Sequence, residues 1–348
     1  MSRNRHSLKD VAKRADVSVA TVSRYLNGFL ELPNRTRERV DRAVADLDYR
    51  PNPHARRLSL GKSDTIALII PDIANPFFSR MAAAIEACAA ERDKMVTLHA
   101  TMNRADREMA ALDNALRNLV DGLVFMTNHM PSPKMAEMIN RFSRAVILDE
   151  TIEGVRAPHI LCDNEQGGYL AGKRLREAGH KRVAYFGGRD DLASTSARLQ
   201  GLQRGLGLET PLRSYATEHA AASGRELAQR FLRERDGETA LFVGSDELTV
   251  GVMEVFGERS VRIPEDISLV SFDNVRSLHL FAPAITAVEQ PVDAMGRRAV
   301  QMLIDGQWDD PRFLESRVVM PVQLIDRHSV SSPPVFAPPN HKKASAEA

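Results

Sequence analysis

The hexapeptide Val19-Ala20-Thr21-Val22-Ser23-Arg24 sets two hydroxyls and a guanidinium among small side chains. On a helix, small residues at 19 and 20 let the backbone approach base edges, Thr21 and Ser23 can bond phosphates or bases, and the planar fork of Arg24 matches O6 and N7 of guanine. A second set of groups is spread over the rest of the chain. Asp149, Gly244-Ser245-Asp246 and Asp273-Asn274 each follow a short apolar run, Arg198 sits in Ser196-Ala197-Arg198-Leu199-Gln200-Gly201, and Phe77-Phe78 is an aromatic pair, giving three carboxylates, a serine, an arginine and two rings. Carboxylate acceptors and a forked donor can each grip vicinal hydroxyls, and aromatic rings can stack on the apolar face of a ligand. Singly, such loop acids usually just face water. Together they describe a polyol site, although Arg198 equally suits a sugar acid, a phosphate or, with the aromatics, a purine.

The elements that would position the first set are short helices. Leu8, Val11, Ala12 and Ala15 follow helical spacing, so residues 7–15 form one amphipathic helix. Asp16-Val17-Ser18 breaks it, and the Ser18 hydroxyl is suited to cap a second helix starting at Val19, with Val22 and Leu26 on its inner face and Asn27-Gly28 as its stop. A third helix buries Val40, Ala43, Val44 and Leu47 and turns Arg37, Arg39 and Arg42 outward. Two short helices joined by a tight turn predict a helix-turn-helix whose second helix lies in the major groove. The plainer alternative is a small bundle with a solvated basic face. Further on, Asn52 precedes Pro53 as a helix cap would, and barely two turns follow, ending at Leu58. So short a helix is marginal alone. With a symmetry mate it could order in a minor groove, Leu58 acting as the wedge at a base step.

From Ser63 to Arg327 short apolar runs alternate with amphipathic stretches. Strands are expected at Thr65–Ile70, Met95–Ala100, 122–126, Ala145–Leu148, His159–Cys162, 183–186, Ala240–Val243 and 267–272, with helices over 78–92, 104–119, 165–178 and 224–234. Such alternation argues for a parallel sheet with helices on both faces, built twice. Ligands in these sheets bind beyond the carboxyl ends of the strands, where Asp149, Ser245 and Asp273 fall.

Charge separates the same regions. Residues 1–62 hold 14 Lys/Arg against 7 Asp/Glu, and the remainder holds 33 against 39, a basic head on an acidic body. No apolar run reaches the roughly 18 residues a bilayer requires. The charged stretch Met1 to Asp10 offers no secretion signal, so a cytoplasmic protein is expected rather than a secreted sugar receptor. Two cysteines, Cys88 and Cys162, are too few for a disulfide framework or a four-cysteine metal site. Gly187-Gly188 follows a strand, yet no G-x-G-x-x-G or Walker pattern opens a helix and no serine sits on a nucleophile elbow. These observations predict a protein that is not an enzyme and needs no metal or cofactor.

The segments SLKDVAKRADVSVATVSRYLNG and TRERVDRAVADLDYRPNPHARRL resemble the head of the LacI/GalR family of bacterial transcription regulators. IALIIPDIANPFFSRM, CDNEQGGYLAGKRLREAGHKRVAYFGG, ISLVSFDN and ITAVEQPVDAMGRRAVQML extend the resemblance to the family's effector domain, over residues 63 to about 328. It implies an all-α head on an α/β body, two-lobed and of the type-I periplasmic-binding-protein kind, with parallel sheets. It places Ser18, Val19, Ala20, Thr21, Ser23, Arg24 and Asn27 on an operator, and Asn52, Ala55 and Leu58 in a hinge helix at the dyad. In the effector cleft it places Phe77, Phe78, Asp149, Arg198, Ser245 and Asp273, adding His219 where relatives carry an aromatic and Gln290 on a crossover between lobes. The chain departs from the family at Pro33-Asn34, where the third helix is expected to start one residue late with Asn34 as its cap. The implied organisation is a head at 1–50, a hinge at 51–62, an effector and dimerisation domain at 63–328 and a disordered tail at 329–348. The implied partners are a palindromic operator, a small effector expected to be a sugar, and a second copy of the chain; the tail has no leucine heptad, so nothing points beyond a dimer.

Overall fold

Reciprocal hydrogen bonds between Ser7 and Asp10, each accepting the other's backbone amide, start α1 (Leu8–Ala15). Asp16 takes a left-handed conformation that ends it, and the Ser18 hydroxyl accepts the Thr21 amide to start α2 (Val19–Leu26). Gly28, at φ +79°, closes α2 in a conformation that an L side chain rarely adopts. The third helix, α3, spans Asn34–Asp46. Its start corrects the expectation above: Asn34 is the first helical residue and no side chain caps it. The carbonyl of Pro33 accepts the amides of Thr36 and Arg37 instead, so backbone does the work expected of the Asn34 amide. Val11, Ala12, Ala15, Val22, Val40 and Ala43 close the core of this small bundle.

The computed structural model describes residues 6–49, 63–207 and 212–334. By Cα proximity the chain divides into two units, Met1–Ser63 and Asp64–Ala348. The larger unit holds the strands and helices β1 (Thr65–Ile70), α4 (Pro76–Ala90), β2 (Met95–Ala100), α5 (Ala105–Arg117), β3 (Gly122–Phe125), α6 (Pro133–Ile139), β4 (Ala145–Leu148), β5 (His159–Cys162), α7 (Asn164–Glu177), β6 (Val183–Gly187), α8 (Ala193–Leu206) and β7 (Arg213–Ala216). These continue into α9 (Ala221–Glu234), β8 (Ala240–Val243), α10 (Asp246–Glu258), β9 (Ser268–Phe272), β10 (Thr286–Glu289), α11 (Val292–Asp305), α12 (Pro311–Leu314), β11 (Arg317–Met320) and β12 (Gln323–Ile325).

Among the described residues the strands form two six-stranded sheets, ordered β11-β5-β4-β3-β1-β2 and β12-β10-β9-β8-β6-β7. Each is the core of one lobe, and the order β2-β1-β3-β4-β5 recurs as β7-β6-β8-β9-β10, so the body is one plan built twice. The chain passes between lobes after β5, after β10 and after β11. All pairings are parallel except that of β12 with β10. This departure from purely parallel sheets follows from the third crossing. Strands of both lobes run toward the space between them, so a strand that leaves β11 and enters the other lobe after only two residues must run against its new neighbours.

The helices α7 and α8 touch backbone to backbone. Gly168 and Gly172 on α7 face Arg198 and Leu202 on α8, and Gly201 and Gly205 face Glu165 and Tyr169; a Cβ on any of the four would overlap the opposite carbonyl. The glycines therefore fix where Arg198 projects. The chain also stays ordered past the expected start of a disordered tail. Ser329 and Val330 are buried, and the Ser329 hydroxyl accepts the Thr286 amide and donates to the Leu269 carbonyl, backbone groups at the outer ends of β10 and β9 that would otherwise lack partners. Residues 335–348 lie outside the described residues.

Two glycine substitutions test this crossing. Gly168→Ala should cost about 1–3 kcal/mol or more through overpacking and lower the melting temperature of the body by several degrees. Gly257→Ala on α10, where a Cβ meets nothing within 4 Å, should hold or raise it. Equal thermal denaturation curves for the two variants would contradict the close crossing.

Candidate ligand cleft and nucleic-acid interface

On the head, the cap and the turn decide what α2 shows. Ser18, Val19, Ala20 and Arg24 are exposed, Thr21, Ser23 and Asn27 are half-buried, and Val22 is sealed in the core. The Ser18 and Thr21 hydroxyls bond each other at 2.8 Å, which leaves one of their two protons free for a phosphate or base. Tyr25 donates to Asp41 on α3 at 2.8 Å, and Arg39 donates to the Asp16 carbonyl at 3.1 Å, which locks the turn between the first two helices against the third. Phe29, 67% exposed beside the stop at Gly28, is a large apolar group that the reading of the hexapeptide missed. The hinge residues Asn52, Ala55 and Leu58 lie outside the described residues.

In the body, a small cavity opens between the lobes at the carboxyl ends of the strands. All eight body residues singled out from the sequence line it: Phe77, Phe78, Asp149, Arg198, His219, Ser245, Asp273 and Gln290. Five that were missed line it too, Asn75, Asn128, Glu150, Leu192 and Ser194, as does Asp246, which was counted among the strand-end carboxylates but not assigned to the cleft. Asn75 caps α4 by accepting the Phe77 amide at 2.8 Å, and this start aims Phe77 and Phe78 at the cavity, their ring centroids 5.1 Å apart edge to face. Asp149 follows β4 and Asp273 follows β9, equivalent strands of the two lobes. Both adopt left-handed backbone, φ 75° and 70°, which turns each carboxylate back over its strand end.

Arg198 is held from three sides. Its Nε donates to Asn164 at 2.7 Å, its Nη1 donates to the Gly244 carbonyl at 2.5 Å, and its plane lies 3.7 Å over the Phe272 ring. Gln290, on the crossing after β10, donates to Asp273 at 2.6 Å. Ser194 of one lobe donates to Glu150 of the other, the direct hydrogen bond that joins the walls of the cleft. His219 fits because position 188 is glycine; a Cβ there would strike its ring. The Ser245 hydroxyl accepts the Leu248 amide as the cap of α10, and the residue that faces the cavity unpaired is its neighbour Asp246. The sequence reading weighed Gly244-Ser245-Asp246 and chose the serine; an acid at the first position of a helix directly after a strand was the signal for the other.

Four carboxylates thus share the cavity with one guanidinium. Burial pushes the Asp149 carboxyl up to about 7, with the charges of Glu150 and Asp273 adding to it and Arg198 opposing. Asp246 is pushed up to about 8 by burial and then by Asp273, and the amides of the first turn of α10 offset only part of this. Glu150 and Asp273 are raised by burial as well, despite their bonds to Ser194 and Gln290. Burial and the Arg198 charge lower the His219 imidazole to about 3, so it stays neutral. Buried atoms without a partner in the cavity are Asp149 Oδ1, both Asp246 oxygens, Gln290 Oε1 and His219 Nδ1. An arrangement so short of donors can bind a molecule rich in them. Among the described residues there is no cluster of His, Cys, Asp and Glu arranged to hold a metal, and Cys88 and Cys162 are buried free thiols.

Comparison with known proteins gives the same two parts. Residues 7–52 match the model for bacterial regulatory proteins of the lacI family, and residues 173–330 match a periplasmic binding protein-like domain. Catabolite control protein A of Priestia megaterium is 34% identical over 305 residues, covering 85% of this chain and 91% of that protein. The transcriptional repressor PurR of Escherichia coli is 30% identical over 338 residues, covering 94% and 98%. A crystal structure of the lac repressor dimer bound to operator and the anti-inducer ONPF superposes with a TM-score of 0.80 at 25% identity, covering 94% of this chain and all of that one. No described helix is long and apolar enough to cross a membrane.

The crowded acids give the free protein a pH dependence of known sign. A carboxyl whose pKa is raised by folding contributes stability that is complete below the unfolded value near pH 4 and lost as pH climbs through the folded value. Below about pH 6.5 the buried His159, His180 and His219, all lowered, run the other way. The acids act alone above that, so the melting temperature should fall between about pH 6.5 and 8.5. Asp246→Asn should flatten the fall; a variant with the slope of the parent would contradict the burial of this charge.

Proposed function

The chain belongs to the LacI family of bacterial regulatory proteins, and on that premise we propose that it is a transcriptional repressor whose hold on DNA is set by a small donor-rich molecule, a sugar or sugar derivative, in the cleft. The observation that carries this reading is the joining of a capped helix-turn-helix to a cavity whose unpartnered atoms are nearly all acceptors. In this account the head is residues 1–50, a hinge occupies 51–62 and the effector and dimerisation domain spans 63–328. Ser18, Val19, Ala20, Thr21, Ser23, Arg24 and Asn27 meet the major groove, while Asn52, Ala55 and Leu58 of two copies meet at the centre of a palindrome. The protein works in the cytoplasm by binding alone, with no catalytic step.

The cleft couples to DNA because its walls belong to different lobes. A ligand that bonds Asp149 and Glu150 on one side and Arg198, Asp246 and Asp273 on the other favours one lobe arrangement over another, and only such differential contact can shift operator affinity. The four carboxylates argue against a sugar acid or a phosphate, both of which Arg198 alone would have suited. A purine offers few donors for so many acceptors.

Selection from a randomised duplex pool should yield a palindrome bound with steep salt dependence, because Lys and Arg of the head displace counterions. On that duplex Arg24→Ala should cost about 1–3 kcal/mol and relax preference at one base position. Equal weakening on specific and random DNA would move Arg24 out of the groove. Asp149→Asn should leave operator affinity intact and weaken the response to whichever sugar of a thermal-shift screen releases the wild-type protein.

A further inference from the structure

The lobes are built alike but charged differently at one position. Asn128 stands three residues beyond the end of β3, and Asp246 stands three residues beyond the end of β8, the equivalent strand of the other lobe. Both line the cavity. One lobe offers a neutral amide where the other offers a carboxylate that is 2% exposed with neither oxygen bonded. A hydroxyl of a neutral sugar can bond either group, more strongly the carboxylate, but only a cation also gains from the negative charge that the second lobe adds.

The charges around Asp246 point the same way. Asp273 lies close enough to raise it, Glu247 adds a further negative charge from the same helix turn, and Asp149 and Glu150 face it from the other lobe. The one cation, Arg198, already has its Nε on Asn164 and its Nη1 on the Gly244 carbonyl, and His219 stays neutral beside it. The cavity therefore lacks a compact positive charge with several hydrogens to give. An ammonium group is such a charge: three donors on a point charge, forming bonds roughly twice as strong as neutral ones.

We propose that the cleft is made for a polyol bearing a protonated amine, an amino sugar or amino alditol, whose ammonium sits against Asp246 and Asp273 while its hydroxyls bond Asp149, Gln290 and Arg198. The proposal rests on the reading of this cavity as the effector site and adds the charge of the effector to it. It assigns Asp246, rather than the capping Ser245, as the residue that sets specificity.

The test compares matched probes on the full-length protein by thermal shift and calorimetry at pH 7. D-glucosamine, D-galactosamine, D-mannosamine and 1-amino-1-deoxy-D-glucitol are each paired with the neutral parent polyol, and the three amino sugars also with the N-acetyl derivative. In at least one pair the amine should bind tenfold or more tightly than its parent, with the N-acetyl form losing that gain. Asp246→Asn should cut the preference at least tenfold, the amine losing far more affinity than its neutral parent; unchanged operator affinity and a sharp melting transition show that this variant is folded. If every parent binds as well as its amine, or no amine binds at all, the proposal is overturned. Release of operator by a neutral parent sugar would then leave the regulatory reading standing, whereas failure to bind any duplex would remove that reading and not this one.

Discussion

Strands of both lobes run toward one gap, so the polar residues that end eight strands are buried together or not at all. That constraint puts Asp149, Glu150, Asp246 and Asp273 out of water in the same cavity against one arginine. Removing a carboxylate from water is costly unless it is bonded, and the free protein bonds only some of these oxygens. The others are protonated or await a donor. Such a cavity is at its most stable with a donor-rich ligand in place, and stabilisation that depends on a ligand is what a sensor requires.

The rest of the body serves to hold that arrangement. The glycine crossing of α7 and α8 sets Arg198 over Phe272 and within reach of Asn164, so the guanidinium's charge reaches Asp149, Glu150 and Asp273. The left-handed backbone at Asp149 and Asp273 fixes two opposed carboxylates at equivalent points of the two sheets. Glu150 and Ser194 already bridge the walls. On the reading proposed above, a ligand would add further bridges of the same kind, with the crossings after β5, β10 and β11 as the places where the lobes would flex.

Much of this was legible in the sequence, and the parts that were not share a physical cause. Buried strands such as Thr65–Ile70 and Ala240–Val243 announce themselves as unbroken apolar runs, because both faces are covered. The edge strands β7, β11 and β12 were missed because none exceeds four residues and each opens on a polar residue, whereas the six-residue edge strand β2 was found. β10, buried but only four residues long, was read as part of a motif and not as a strand. At the site, residues with a distinctive type beside a strand end were found, whereas Glu150 and Ser194 belong to pairs that meet only when the lobes do. Asp246 was passed over for the serine that caps the following helix. The start of α3 was misread because a backbone carbonyl replaced a side-chain cap, a substitution no residue type reveals.

The central claim is that the ligand answers the unmet acceptors of the cleft. Calorimetric titration at pH 6.5, with a cleft ligand that releases the protein from its operator, should be run in two buffers of different ionisation enthalpy. At this pH an alkylamine is already charged, while the carboxyls of Asp149 and Asp246 still hold most of their protons. Donors arriving at those oxygens must drive protons off, so the heats should differ between buffers by an amount corresponding to net proton release. Identical heats, or proton uptake, would mean that the ligand binds without satisfying the buried acids and would contradict the account.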